Sequence, residues 1–514
     1  MDKTILKNFA IYSRNKLIQE ITNKAAMIGI TEEVITNPLP DSTNDLLMFD
    51  IQRETPYLLK GEEIRQYDKL INELKQREEN DDYETAYETL IEEIAYTWFN
   101  RLIAMRFMEV NHYMPNRLRA LSSGIDVVNE PELVTNYTES GLSFTEEESQ
   151  QLIDWRLDAS AQAMDEMFRF LFIKQANALN ENLPELFEKT DDYAELLLTI
   201  SYNDPEGVLY KLIHEVPEEY FDVESDDGSG QVEIIGWLYQ YYNSEKKDEV
   251  VNIINKKAIE KHNIPAATQL FTTDWVVKYM VDNSLGKYWL ERNPDSPIKE
   301  SLEFLMPGEV TVVDEDILPE DLTVFDNAMG SGHILSYAFD VLLKIYESKG
   351  YSPRNAAKLI VENNLYGLEI DQRAYQLSYF AIMMKARQYN RRALNGEIET
   401  NLAVFEDSTT INKEHLNLLG QKMDSKNRKK AIEQMNYLIE EFDNATELGS
   451  ILVLENINKE LLLEFINDSP ETGQMTLTEI DIDTTQEQLR NIINISSMLS
   501  NKYNILATNP PYMN

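Results

Sequence analysis

Beyond residue 264 the chain alternates short β-branched or aromatic runs with longer segments of helical period. This alternation narrows the fold more than any other feature. Residues 323–325, 365–370, 402–405 and 504–507 read as strands, and 336–348 and 373–387 as helices. Strands joined through helices pair in parallel, so the pattern predicts βαβ units around a parallel sheet.

Upstream the period is helical. Residues 8–21 place Phe9, Tyr12, Leu17 and Ile21 near helical spacing. In 84–110, Ile91, Ile94, Ala95, Trp98, Leu102, Met105 and Met108 recur at three and four, as a core-facing stripe does. Residues 122–149, with Gly124, Pro131 and Gly141, read as a long loop, and helix resumes at 154–179 and 234–255. The acidic, Gly/Ser-rich DVESDDGSG at 222–230 is the clearest linker candidate. The expected organisation is mixed: an N-terminal α-helical domain over 1–222, a linker and helical connector over 223–263, and an α/β domain over 264–514.

Composition removes several function classes. The 514 residues contain no cysteine, which excludes disulfides and thiolate chemistry. Five histidines, none paired at ligand spacing, argue against a His-based zinc site, and no metal is expected. No apolar stretch is long enough to span a bilayer, and the first residues lack a signal-peptide core, so a cytoplasmic protein without membrane contact is expected. The formal charge is −43. Taken whole, such a chain is repelled by nucleic acid. Acidic residues that simply solvate a large surface account for this. So do a basic module outside the chain, a basic partner, or a locally basic groove that the total hides.

Five segments carry candidate chemistry. In FDNAMGSGH a strand runs into Asp326, then a loop with Gly330 and Gly332, then a helix beginning near Ile334. Glycines let backbone approach a ligand, and a helix N-terminus favours a negative group; Ala328 and Ser331 are also small. A tight turn would look the same. In LYGLEID, Glu369 ends the second strand, where an acid can accept from ribose hydroxyls, and Asp371 reads as a helix cap. In AVFEDS an acid after the third strand is placed to accept from an adenine amino group. In QLFTTDWVV, Thr272, Thr273 and Asp274 open an amphipathic helix, for which an N-cap is the plainer reading. Asn-Pro-Pro-Tyr at 509–512 alone is a turn. It also holds the parts needed to methylate an exocyclic amine, whose lone pair is delocalised into the ring. A carboxamide and a backbone carbonyl accept both N–H bonds, prolines direct the carbonyl, and an aromatic ring stacks on an extruded base.

In this order, the segments resemble amino-methylating DNA methyltransferases that use S-adenosylmethionine. The resemblance implies a Rossmann-like class I methyltransferase domain. Thr272 and the loop with Asp326, Ala328, Gly330 and Gly332 would hold the methionine end of the cofactor. Glu369 would take the ribose, Ile370 would pack on the adenine ring and Asp407 would meet its amino group. Asn509, Pro510, Pro511 and Tyr512 would form the catalytic clamp, with Asn in place of Ser pointing to adenine N6.

Longer stretches, among them NFAIYSRNKLIQEITNKAAMIGI, AYTWFNRLIAMRFMEVN and PAATQLFTTDWVVKYMVDNSLG, are similar to the PglX family, adenine-specific methyltransferases of BREX phage-defence systems. The similarity runs from the first residues to the last. Asn327 stands where the family usually has proline. Family members continue further, so the sheet is expected to be truncated after its fourth strand. The DNA-recognising region would lie in a missing C-terminal part, leaving the chain inactive alone. Double-stranded DNA, bound through that part, and other BREX proteins are the implied partners. The span between Asp407 and Asn509 exceeds what the fold needs. Residues 414–443 and 445–465 read as helical, so a helical insertion is expected at about 411–500, with 468–485 polar, acidic and mobile.

Two other readings compete. The acidic chain would serve as a protein-binding scaffold with a cofactor-sensing half. Alternatively, Glu245, Lys246 and Lys247 with Asp226 or Asp227 would form a nuclease carboxylate–lysine set, although on helix rather than strand.

Overall fold

The computed structural model describes residues 2–53, 55–78, 82–125, 129–187, 193–225, 230–245, 272–308, 311–454, 457–468 and 482–510. The chain divides into two units, 1–258 and 259–514. The described residues are mostly helical, with a two-stranded hairpin in the first unit and a four-stranded parallel sheet in the second. No helix among them is long and apolar enough to cross a membrane.

The first unit is built on α1 (Lys3–Met27) and α2 (Tyr83–Val110). Asp2 caps α1 by accepting from the Thr4 N–H, and Asp82 caps α2 on the Thr85 N–H. Every residue from Trp98 to Val110 is buried. A helix enclosed on all sides explains why apolar residues in this stretch exceed a single stripe. Arg106 and Glu109 are enclosed with it. The Arg106 guanidinium donates to Glu109 at 2.7 Å, Ser122 at 3.0 Å and Glu218 at 2.9 Å. Arg119 grips the same Glu218 with two nitrogens, and Glu109 also accepts from the Leu121 N–H.

Several expectations are corrected. The first unit is not purely helical: β1 (Leu46–Phe49) and β2 (Tyr57–Lys60) pair antiparallel. The expected loop at 122–149 contains a short helix, Glu132–Thr135, and the start of another, Glu146–Asp158. The helical stretch at 154–179 is two helices, because Ala159 turns left-handed at φ 51° before Ala161–Ala178. In the expected connector, α3 (Ile234–Tyr242) belongs to the first unit and packs on α2, with the Tyr242 ring 4.5 Å from that of Phe99 and the Tyr239 ring 5.3 Å from that of Tyr96. Residues 226–229 of the linker candidate and 246–271 lie outside the described residues.

In the second unit the strands are β3 (Val324–Asp326), β4 (Leu365–Glu369), β5 (Asn401–Val404) and β6 (Ile505–Leu506), all parallel, in the order β5-β4-β3-β6. These match the four expected strands to within one or two residues. Ahead of the sheet lies α4 (Asp274–Val281); α5 (His333–Ser348) leads from β3 to β4, and α6 (Gln372–Tyr389) from β4 to β5. The chain builds outward from β3 to β5 and then returns to the other side of β3. The crevice at the C-terminal ends of β3 and β6 is therefore a topological switch point, where open α/β sheets bind ligands.

Between β5 and β6 runs a helical insertion with α7 (Ser425–Glu441), α8 (Lys459–Asn467) and α9 (Ile482–Ser500). Met435, Leu438, Phe465, Leu489 and Ile493 form its core, continuous with Phe325, Leu368 and Ala403 of the sheet. The helical stretches expected at 414–443 and 445–465 are more broken. A 3-10 turn, Lys413–Asn417, precedes α7, and the one-turn helix Ala445–Leu448 and the 3-10 turn Gly449–Ile451 precede α8. Of the polar stretch at 468–485, residues 469–481 lie outside the described residues.

Candidate functional site

Asp326 ends β3 with only 1% of its surface exposed. Its Oδ1 accepts from the Ala328 N–H at 3.2 Å. Burial pushes its carboxyl up to about 7, against the opposing influence of the Thr508 hydroxyl and the Ala328 N–H. The following loop is pinned to β4 by the Met329 N–H on the Leu368 carbonyl at 3.0 Å. Gly330 and Gly332 both have positive φ, 54° and 79°. They differ in what surrounds them. A Cβ at Gly332 would stand 2.5 Å from Ser378 Oγ, so packing against α6 requires glycine there. A Cβ at Gly330 would meet nothing within 4 Å, so this backbone faces open space, as a ligand-cradling loop does.

Glu369, at the end of β4, is buried and turned toward that loop. It accepts from the Gly330 N–H at 2.7 Å, Ile370 N–H at 3.0 Å and Asp371 N–H at 3.2 Å. Burial, and then the Asp371 charge, push it up to about 7, while the three N–H groups oppose the rise. Asp371 caps α6 by accepting from the Arg373 N–H at 3.0 Å, as its position suggests. Thr273 is the N-cap residue of α4, but its side chain makes no capping hydrogen bond.

Thr272 has a different partner. The Asn509 Nδ2 donates to Thr272 Oγ1 at 2.9 Å, joining residues 237 positions apart. Asn509 arrives there because β6 lies beside β3, with the Ala507 N–H bonded to the Phe325 carbonyl at 3.0 Å. Pro510 follows, exposed, and Pro511 and Tyr512 lie outside the described residues.

Ile370 and Asp407 meet the insertion. Both the N–H and the hydroxyl of Thr446 donate to Asp407 Oδ1, at 2.9 and 2.8 Å. The backbone of Gly449 runs so close to half-buried Ile370 that a Cβ there would be 2.9 Å from Ile370 Cγ2. Thr446 and Thr508 carry no signal of their own in the sequence. Small hydroxyl residues carry no periodic signal, and only the fold brings them to the loop and its acids.

Asn327 Oδ1 and Ser331 Oγ are buried without a hydrogen bond, and Asp326 Oδ2 and the Thr508 hydroxyl, which influence each other, are buried without a well-formed one. Buried polar atoms are ordinarily paired, and several unpaired ones around one loop fit a polar ligand that supplies their partners. Of the nuclease set only Glu245 is described; it accepts from Asn15 Nδ2 at 3.1 Å, and Asp226, Asp227, Lys246 and Lys247 lie outside the described residues.

A parallel sheet with a glycine loop at its switch point and an acid closing the next strand has the form of an α/β ligand-binding unit. No family model matches the chain. It is 42% identical to the adenine-specific methyltransferase PglX of Lacticaseibacillus casei (strain Zhang), over 100% of this chain and 43% of that protein. It is 33% identical to the adenine-specific methyltransferase BrxX of Escherichia coli O9:H4 (strain HS), over 100% of this chain and 42% of that one. The chain belongs to the PglX family and spans less than half the length of these relatives.

Proposed function

We propose that the protein is a site-specific DNA adenine N6-methyltransferase of a BREX-type phage-defence system, and that this chain carries its cofactor pocket and catalytic asparagine. The names of both relatives support adenine methylation. The observation that carries the assignment of residues is the Asn509–Thr272 hydrogen bond, which sets the amide beside the helix opening ahead of the glycine loop. Double-stranded DNA and other proteins of the defence system are the proposed partners.

S-adenosylmethionine fits the site and supplies an electrophilic methyl group. Asp326, Thr272 and the Ala328–Gly332 backbone would hold its methionine end, where buried atoms lack partners. Glu369 would accept from the ribose hydroxyls, exchanging part of its present bonding to the loop. Ile370 and Asp407 would hold the adenine, the latter steadied by Thr446. With Nδ2 donating to Thr272, Asn509 presents Oδ1 as the acceptor for an N–H of a flipped adenine. The Pro510 carbonyl would take the other N–H, and Tyr512 is assigned the stacking role on the base. Hydrogen bonds accepted from both N–H groups would localise the nitrogen lone pair for attack on the methyl carbon, and one of the two protons would leave once the N–C bond has formed.

Calorimetry with S-adenosylmethionine is expected to give saturable heat, weakened at least tenfold by Glu369→Ala. Folded protein that gives no heat refutes the cofactor assignment. In the protein that contains this chain, Asn509→Ala is expected to cut methyl transfer to an adenine-containing duplex by a hundredfold or more while cofactor binding persists. Unchanged transfer would remove Asn509 from the mechanism.

A further inference from the structure

The strong negative charge of the chain is not uniform. Between Lys413 and Lys430 lie six cations, Lys413, Lys422, Lys426, Arg428, Lys429 and Lys430, and only two carboxylates, Glu414 and Asp424. Five of the six are exposed. Arg428 is half-buried and serves the fold, donating to the Leu419 and Asn417 carbonyls. Lys429 makes one long, exposed ion pair with Glu433 at 3.7 Å. Among the described residues, Lys413, Lys426 and Lys430 have no carboxylate within ion-pair distance.

Helix stability does not explain this placement. In α7 the cations fill the first two turns, and Glu440 and Glu441 close the last. The helix macrodipole favours the reverse, acids at the N-terminus and bases at the C-terminus. Asp424 caps the helix by accepting from the Lys426 and Asn427 N–H groups, but the cations behind it gain nothing from the dipole, so helix stability does not account for the cluster.

The position of α7 indicates the partner. Its C-terminal end is tied to Ser408, next to Asp407: the Ser408 hydroxyl donates to the Ile439 carbonyl at 2.6 Å and its N–H to the Phe442 carbonyl at 3.0 Å. At about 1.5 Å per residue, Lys426 to Lys430 stand about 14–24 Å from that anchor. Lys426 and Lys430 lie one turn apart on the same side of the helix. A duplex with one base turned into the site presents its backbone over such distances.

We propose that the exposed face of α7 around Lys426 and Lys430 binds the phosphate backbone of duplex DNA, as a locally basic surface in an acidic protein. This rests on the reading of the chain as part of a DNA methyltransferase. It assigns the insertion a role in gripping the substrate, separate from the catalytic asparagine.

The test is fluorescence anisotropy of this chain with a labelled adenine-containing duplex across a salt series, alongside calorimetry with S-adenosylmethionine. Lys426→Glu/Lys430→Glu is compared with Arg391→Glu/Arg392→Glu, which changes the same charge at exposed positions beyond the C-terminus of α6. The α7 variant is expected to weaken duplex binding about tenfold or more at low salt. It should also lower the slope of log affinity against log salt by about 2, for two lost phosphate contacts. Its cofactor heat should be unchanged, and the control variant should bind the duplex within about twofold of the parent. The proposal is overturned if the α7 variant binds like the parent, if the control loses as much, or if the parent binds cofactor but no duplex. Lysine-dependent duplex binding without cofactor heat would instead sink the cofactor assignment and leave this surface standing. Binding of neither ligand sinks both.

Discussion

At the scale of single residues, Gly330 and Gly332 separate packing from ligand approach. Both need positive φ, which costs a non-glycine residue about 1–2 kcal/mol. Gly332→Ala adds a collision with Ser378, so thermal unfolding should show the larger loss of stability there. Gly330→Ala should lose less stability but more cofactor affinity, because its methyl group enters the open side of the loop; calorimetry reads the difference.

Asp326 and Glu369 give the same site a pH dependence. Both carboxyls rise to about 7 from ordinary values of 3.8 and 4.5. Between those limits the native state holds protons that the unfolded chain has released. Stability is therefore greatest at the acid end of the window and falls as pH rises toward 7. Melting temperatures across this range should show the decline, and Asp326→Asn should reduce it to the share of Glu369. If Glu369 takes the proposed role, cofactor affinity should run the opposite way and rise toward pH 7 as its carboxyl ionises.

At the scale of elements, β6 and α2 make contrasting predictions. In β6, Ile505 is buried and Leu506 is 61% exposed. Ile505→Ala should cost about 2–5 kcal/mol, and Leu506→Thr less than about 0.5 kcal/mol, by denaturant unfolding. In α2, Arg106→Met leaves buried Glu109 without its cation and should cost about 3–5 kcal/mol. That loss should also loosen residues 119–125, which hydrogen exchange would detect.

These elements show which parts of the fold were legible in advance. The four strands and α2 announced themselves because period and β-branching are local properties. The hairpin did not, because neither Leu46–Phe49 nor Tyr57–Lys60 contains a β-branched residue. The order in 122–149 draws on contacts between residues 13 to 31 positions apart, such as the Ser122 hydroxyl on Glu109, the Arg119 N–H on Glu132, and Lys174 on the Ser143 carbonyl and Glu148. At the candidate site, the places of Asp326 and Glu369 at strand ends and of Gly330 and Gly332 in the loop were legible, because a strand followed by a small-residue loop or an acid is itself a local signal. The commitment of Glu369 to Gly330 and of Asp407 to Thr446 was not, since each joins residues 39 positions apart.

At the scale of the whole molecule, a formal charge of −43 sets solution behaviour. Self-repulsion destabilises a compact state and salt screens it. Melting temperature should therefore rise as ionic strength increases from low values toward the physiological range, even as duplex affinity falls.

The sequence by itself determined the alternation that demands a parallel sheet, the glycine loop and acids after its strands, and the Asn-Pro-Pro-Tyr motif. Each is a property of neighbouring residues acting through backbone preference. Only the tertiary structure decided that β6 returns beside β3, and so brings Asn509 to Thr272 across 237 positions. Strand order is set by burial of both sheet faces and by hydrogen bonds between distant segments, and those energies exist only once the chain has folded.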